Sequence, residues 1–115
     1  MQYRKLGKTN ESVSILGFGC MRLPILDGNM ARIDEEKATS MIRHAIDQGV
    51  NYLDTAWSYH SSVMGQKGES EPFVGRVLKD GYREKVKIAT KLPAWLINSR
   101  KDIRFSPRPT ATPKA

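Results

Sequence analysis

The stretch NYLDTAWSYH, residues 51–60, joins a short apolar strand to a polar loop. Tyr52 and Leu53 are residue types that favour β-strands, and an acid, Asp54, follows them directly. A second ionisable side chain, Tyr59, lies in the loop beyond the strand. In α/β proteins with parallel strands, reactive side chains lie at the carboxyl ends of the strands. The stretch therefore predicts a strand of such a sheet and part of a site at its end.

A helix is predicted directly before this strand, over residues 34–49. Its apolar side chains recur at the three- and four-residue spacing of an amphipathic helix. Asp34 is in a position to cap the N-terminus, and Gly49 is in a position to end the helix. The residues of the apolar face are Ala38, Met41, Ile42, Ala45 and Ile46. That face is expected to pack against the sheet.

A second helix and a further strand are predicted after the polar loop of residues 55–69. The helix starts near Ser70, and Gly81 ends it. Its apolar face consists of Phe73, Val74, Val77 and Leu78. The strand KVKIATK, residues 85–91, follows. Strands that alternate with helices in this way favour a parallel sheet whose connections are right-handed crossovers.

The N-terminal part of the chain predicts a hairpin and then a shorter strand. QYRKLG (2–7) and SVSILG (12–17) are two strands around the turn-rich KTNE, and GFGCMRLP (17–24) is a short strand that opens into a loop. PILDGNMAR (24–32) is predicted to be that loop, with Asp27-Gly28 as its turn.

The composition is typical of one folded domain, because 39% of the 115 residues are hydrophobic and 27% are charged. The single cysteine, Cys20, excludes an internal disulfide and is expected to be a buried small residue. The N-terminus is too polar for a signal peptide, and no apolar run reaches membrane-spanning length. These features predict a cytoplasmic protein without a membrane partner.

The net charge of +7 is concentrated at the C-terminus. Residues 100–115 carry five basic side chains and one acid, whereas the charges of residues 1–99 are interspersed and nearly balanced. The tail also holds three of the six prolines, which prevents regular helix and predicts a disordered basic segment. An interspersed surface argues against a phosphate-binding stripe, so no nucleic-acid partner is predicted.

The two strands around the second helix end in opposite charges, Asp54 and Lys91. Neighbouring strands lie about 4.8 Å apart, so an ion pair is within reach if these strands are adjacent. Alternation along the last strand would turn Val86 and Ile88 toward the helices and Lys91 toward the other side. A nearby ammonium favours the ionised form of a phenol, which would let Tyr59 give a proton to a developing alkoxide or take one from an alcohol. A hydride for such a reaction must come from a cofactor.

Four segments together resemble a known family. They are LGFGCMRLP (16–24), IDQGVNYLDTAWSYH (46–60), GESEPFVGRVLKD (68–80) and REKVKIATK (83–91). They closely resemble the N-terminal part of aldo-keto reductases, and more narrowly a microbial branch of NAD(P)-dependent oxidoreductases. Some members of that branch carry a C-terminal iron–sulfur segment. The resemblance implies a (β/α)8 TIM barrel whose bottom is closed by an N-terminal hairpin, and reduction of small aldehydes or ketones by NADP(H) or NAD(H).

The resemblance also assigns roles to residues. Tyr59 would be the proton donor, Lys91 would assist it, and Asp54 would pair with the lysine and contact the cofactor. The residues that would line the substrate pocket are Trp57, His60 and Trp95. No metal is implied in this site.

The resemblance covers roughly residues 1–100, whereas a (β/α)8 barrel needs about 250 residues. The chain is thus expected to hold the hairpin, the first three strands and two helices, as a partial barrel domain over residues 1–100 and a tail over 101–115. The family's fourth catalytic residue, a histidine on the next strand, and its phosphate-binding positions would lie beyond. Such a fragment is expected to be inactive alone. A non-catalytic role, in which an open sheet edge or the basic tail binds a partner or another copy, is the alternative.

Some of these residues also have simpler explanations. Asp54 would serve as a strand-end acid that caps a loop, and Lys91 as a solvated strand end. His44 and His60 are expected to be surface or loop histidines, although His60 adjoins the site. Packing within their own loops would equally explain Trp57 and Trp95.

The pair Gly17 and Gly19 is too short for a dinucleotide-binding fingerprint, so close packing at the first strand is the expectation there.

Overall fold

In the computed structural model, which describes residues 1–99, the chain begins with an antiparallel hairpin. Strand β1 (Tyr3–Lys5) pairs with β2 (Ser12–Ser14), as the sequence predicts. The side chain of Asn51 fastens the hairpin, because its Oδ1 accepts a hydrogen bond from the Ser14 amide and its Nδ2 donates to the Ser12 carbonyl. Asn51 directly precedes the central strand, so the hairpin lies at the amino end of the sheet.

The next segment contains a second hairpin, where the sequence analysis predicted a loop. After the short strand β3 (Phe18–Gly19), β4 (Ile25–Leu26) pairs antiparallel with β5 (Asn29–Ile33). Asp27 and Gly28 have φ of 54° and 65°, and positive φ at both central positions suits a two-residue hairpin turn. The loop prediction was wrong because the flanking residues do not alternate, although the Asp-Gly turn itself was identified.

Helix α1 (Glu35–Asp47) begins as predicted, since the Asp34 carboxylate accepts a hydrogen bond from the Lys37 amide. Ala38, Ile42 and Ile46 are buried, but Met41 is 44% exposed and lies outside the packed stripe. The buried positions therefore recur every four residues. The predicted apolar face was too wide, because Met41 is exposed and Ala45 is only half-buried.

Helix α2 (Ser70–Val77) is shorter than predicted. It ends at Val77, before the expected stop at Gly81, which has φ of 88°. Its predicted apolar face is confirmed, because Phe73, Val74, Val77 and Leu78 are all buried.

The central sheet has the order β3–β6–β7, and both pairings are parallel. Strand β6 (Tyr52–Asp54) lies in the middle, and β7 (Lys87–Ala89) is preceded by a 3₁₀ turn at Arg83–Lys85. Phe18, Leu53 and Ile88 are in register across the three strands. They share the face that packs on both helices, where Leu53 is fully buried.

The architecture confirms an α/β fold with the first elements of a TIM barrel. In the part of the chain that the structure describes, the parallel sheet has three strands and is not closed into a barrel. No helix within residues 1–99 is both long and apolar enough to cross a membrane. The predicted boundary at residue 100 and the basic tail lie outside the described residues.

Candidate active site

The structure brings Asp54 and Lys91 together at the carboxyl end of the sheet. Asp54 is the last residue of β6, and Lys91 follows β7 by two residues. The Lys91 Nζ lies 2.5 Å from Asp54 Oδ1 and also donates to the Thr55 carbonyl at 2.8 Å. Both charged side chains are about half exposed, so solvent and a small molecule can reach the pair.

The electrostatics of this pair keep Lys91 protonated. The hydrogen bond to Asp54 raises the pKa of Lys91 above its usual value, and partial desolvation acts in the opposite direction. The interaction with Tyr59 and the charges of both partners raise the pKa further. The ammonium is therefore a fixed positive charge that faces a phenol.

Tyr59 lies over this ammonium. The Lys91 Nζ is 4.9 Å from the centroid of the Tyr59 ring, within the range of a cation–π contact. The Tyr59 carbonyl accepts a hydrogen bond from the Ser70 amide at 3.2 Å, which ties the loop to the start of α2. The loop can turn back past Tyr59 only with glycine at position 68, because a Cβ on Gly68 would lie 1.8 Å from the Tyr59 carbonyl oxygen.

A buried hydroxyl relay, which sequence reasoning missed, supports the strand ends. The Ser70 Oγ donates to the Cys20 carbonyl at 3.0 Å, so Thr55 Oγ1 must donate in the 2.8 Å bond between the two hydroxyls. The Cys20 amide in turn donates to the Asp54 carbonyl. Ser70 and Thr55 are both almost fully buried, and the relay joins the ends of β3 and β6 to the first turn of α2. A serine in a first helical turn is ordinary capping sequence, so no local signal marked its distant partners.

His60 lies in a loop, as one of the two expectations had it, but it is buried rather than exposed. Only 2% of the residue is exposed. Its Nε2 lies 3.0 Å from the Leu23 amide, and its Nδ1 lies 2.8 Å from the Met30 carbonyl oxygen. Both ring nitrogens are hydrogen-bonded to backbone groups that are distant in sequence. Such contacts cannot be read from a single sequence. The other histidine, His44, is exposed as predicted.

Two cavities open beside Tyr59. The larger, about 550 Å³, lies between Tyr59, the His60 ring, three methionines and Trp95. The smaller, about 200 Å³, lies between Tyr59, Lys91 and Trp95. Trp95 is 61% exposed and donates from Nε1 to the Gly65 carbonyl. Trp57 is half-buried and lines neither of these two cavities.

Two other groups have structural roles. The Cys20 thiol is fully buried, and burial is the main cause that raises its pKa to about 11. The close packing expected at the Gly-x-Gly pair is absent at Gly19, where a Cβ would meet nothing within 4 Å, and at Gly17 a Cβ would lie 3.4 Å from the Tyr52 ring, at the edge of ordinary contact. Within residues 1–99, no three His, Cys, Asp or Glu side chains are grouped in a way that could hold a metal ion.

The aldo/keto reductase family matches residues 15–110 of the chain. The protein named probable aldo-keto reductase 1 of Glycine max is 38% identical over 87 residues, which are 76% of this chain and 23% of that protein. The uncharacterized oxidoreductase YqkF of Bacillus subtilis is 35% identical over 91 residues, or 79% of this chain and 25% of its own length. The chain thus spans about a quarter of the length of these curated relatives.

The fold is shared with solved structures of the same kind. The holo form of aldo-keto reductase AKR11C1 from Bacillus halodurans is 40% identical, with a TM-score of 0.61 over 78% of this chain and 25% of that one. The thermostable aldo-keto reductase Tm1743, in a complex with the inhibitor epalrestat, is 26% identical with a TM-score of 0.59.

Proposed function

The chain belongs to the aldo/keto reductase family, and we propose that Asp54, Tyr59 and Lys91 form the proton-transfer part of an NAD(P)H-dependent carbonyl-reducing site. The observation that carries the proposal is the position of the Lys91 ammonium, which is bonded to Asp54 and faces the Tyr59 ring. A small aldehyde or ketone would enter from the larger cavity, in which the phenol is part of the wall.

Each of the three side chains has a separate task. Tyr59 donates its proton to the oxygen of the carbonyl as negative charge develops there. Lys91 stabilises the phenolate that remains, because its ammonium is held protonated beside the ring. Asp54 and the Thr55 carbonyl hold the lysine in place through their two hydrogen bonds.

The described residues fit the reacting end of a nicotinamide cofactor. Asp54 and Tyr59 would contact that end, since both lie at the open carboxyl edge of the sheet. NAD(P)H, when bound, supplies the hydride that no side chain can supply. Among residues 1–99, Gly17 faces the Tyr52 ring, and the Gly17-Gly19 pair is too short for a dinucleotide-binding fingerprint. We therefore propose that this chain alone binds the cofactor weakly.

We also propose that the 115-residue chain does not complete a turnover by itself. The family site needs a histidine in addition to the three side chains, and neither histidine of the chain is placed for that role. His60 is engaged by backbone on both ring nitrogens, and His44 is exposed on α1. Purified chain, incubated with NADPH and a panel of aldehydes, should consume no cofactor above the rate of a Tyr59→Phe control. Turnover that the control lacks would overturn this part of the proposal.

The roles of the three residues are tested in a complete barrel. Residues 1–99 would replace the matching part of the Bacillus halodurans aldo-keto reductase, which is 40% identical over the aligned region. If the chimera reduces aldehydes, Tyr59→Phe should lower kcat by at least about 100-fold, since general acid catalysis contributes roughly that much. Tyr52→Phe, which removes a phenol from the same strand and loop region, is the matched control and should change kcat little. Equal activity of the Tyr59→Phe chimera would exclude Tyr59 as the proton donor.

A second candidate function is association through the sheet. Within the described residues β3 and β7 are edge strands, and unpaired edges are templates for pairing with another chain. Analytical ultracentrifugation over a range of concentrations would show self-association as a rise in weight-average mass. A concentration-independent monomer mass would argue against this role. The basic tail, which the sequence analysis named as another binding segment, lies outside the described residues.

A further inference from the structure

We propose that His60 is a positioning residue for Tyr59, and that its imidazole is neutral with the proton on Nδ1. The catalytic role of Tyr59 in this inference rests on the proposed function, whereas the contacts of His60 do not depend on it. His60 directly follows Tyr59 in the loop, and its ring connects that loop to two other segments of the chain. Those segments are the β3–β4 connection, at Leu23, and the first part of β5, at Met30.

The two ring contacts fix both the charge and the tautomer. A carbonyl oxygen only accepts, so the 2.8 Å contact with Met30 requires a proton on Nδ1. An amide only donates, so the 3.0 Å contact with Leu23 requires a bare Nε2. A doubly protonated ring would place an N–H against the Leu23 N–H, and the opposite tautomer would break both bonds.

The backbone of His60 has an uncommon conformation, which the surrounding hydrogen bonds hold in place. Its φ is 62°, in the left-handed region that few residues other than glycine, asparagine, aspartate and histidine adopt. The conformation persists because it is held from several sides. The His60 carbonyl accepts from the Glu69 amide at 3.0 Å, and the ring is locked at both nitrogens.

The consequence is that Tyr59 is held from both directions along the chain. On one side the Tyr59 carbonyl is bonded to the Ser70 amide, and on the other side the ring of His60 anchors the next residue. The 4.9 Å separation between the Lys91 Nζ and the Tyr59 ring depends on where this loop lies. Loss of the His60 ring should therefore move or loosen the phenol above the lysine.

The first experiment examines the tautomer in the unmodified 115-residue chain. Long-range nitrogen–proton NMR spectra at neutral pH distinguish the two neutral tautomers from the charged ring. We expect His60 to show a protonated Nδ1 and an unprotonated Nε2. We also expect slow hydrogen exchange at the Leu23 amide. A His60 ring with its proton on Nε2, or with protons on both nitrogens, would overturn the proposal.

The second experiment distinguishes a positioning role of the His60 ring from the mere need for a residue that tolerates a left-handed backbone at this position. His60→Gly relieves the backbone, and His60→Asn tolerates the same φ and keeps a donor near the Nδ1 position, but both variants lose the acceptor for Leu23. We expect at least about tenfold faster exchange at the Leu23 amide in both variants. We also expect weakened nuclear Overhauser contacts between the Tyr59 ring and the Lys91 side chain, more so in His60→Gly. His44→Asn, the matched substitution on α1, should leave both readouts unchanged.

The outcome also separates this proposal from the proposed function. If His60→Gly keeps the Tyr59–Lys91 contacts of the unmodified chain, His60 is not a positioning residue, whatever the chimera does. If those contacts are lost but the Tyr59→Phe chimera remains active, the positioning role stands and the catalytic role of Tyr59 fails.

Discussion

The two faces of the three-stranded sheet are stabilised by different kinds of contact. On the helix-side face, defined by Phe18, Leu53 and Ile88, apolar side chains pack on α1 and α2, and Leu53 is fully buried. On the opposite face, the open face, Tyr52, Asp54, Lys87 and Ala89 are only partly buried. Its ordered contacts are mostly polar.

Two ion pairs organise the open face. Lys91 Nζ contacts Asp54 at the carboxyl end of the sheet, and Lys87 Nζ lies 3.2 Å from Glu11 of the first hairpin at the amino end. In a closed barrel this face would be the interior, which layers of side chains from all strands fill. The helix-side face therefore holds the packed core of the described segment, whereas the open face holds the reactive groups in a solvated setting.

The largest expected difference between the faces comes from adjacent residues of β6. Leu53→Ala should lower the free energy of unfolding by about 2–5 kcal/mol, because it leaves a cavity in a packed core. Tyr52→Ala should cost about 1 kcal/mol, because that side chain is only partly buried. Urea unfolding followed by circular dichroism measures both. Equal losses would mean that the open face is packed as tightly as the helix side.

An intermediate effect is expected at Cys20, whose thiol is fully buried at the end of β3. Burial raises its pKa from the ordinary 9.0 to about 11, so the folded state keeps the proton that the unfolded state loses. Its contribution to stability is complete below about pH 9 and is lost as the pH rises toward 11. The full loss would be about 3 kcal/mol, at 1.36 kcal/mol for each unit of pKa difference.

Cys20→Ala is the control for that measurement. Its free energy of unfolding should fall less between these pH values than that of the unmodified chain, because other groups titrate in both proteins but the thiol in only one. The thiol should also react with a water-soluble disulfide reagent only after urea unfolds the chain. Parallel pH profiles, or rapid reaction of the folded protein, would show that Cys20 is accessible.

The fold was largely predictable because its information is local. The cap at Asp34, the buried stripe of α1 and the apolar face of α2 follow from spacing and residue type. The pairing of Asp54 with Lys91 was also predictable, since parallel register brings successive strand ends to one edge. What failed locally was the hairpin of β4 and β5, whose strands lack alternation.

The supporting contacts of the site were not predictable for a different reason. Ser70 bonds to Cys20 across 50 residues, and His60 bonds to Leu23 across 37. Each joins a side chain to a backbone group, and every residue has a backbone amide and carbonyl. No residue type therefore marks the partner. The burial of His60 follows from such contacts, so the sequence identified a loop histidine but did not reveal that it is buried.

The smallest expected effect concerns the ion pair on the open face. Asp54→Asn should lower the free energy of unfolding by less than about 1 kcal/mol, because both side chains are about half exposed. The larger response is in the pKa of Lys91, which should fall because the hydrogen bond to Asp54 is the main cause that raises it. Carbon NMR of the lysine ε position across alkaline pH measures this change. Glu11→Gln, which removes the partner of Lys87, should leave Lys91 unchanged.

The sign of the pH dependence follows from the same contact. Because the folded state raises the pKa of Lys91, its contribution to stability is complete below the ordinary pKa of 10.5 and is lost as the pH rises through the folded value. Asp54→Asn should flatten this part of the pH profile. If the Lys91 pKa is the same in both proteins, the ammonium is controlled by solvent. The open face would then lack the electrostatic organisation from which the proton-transfer role of Tyr59 is inferred.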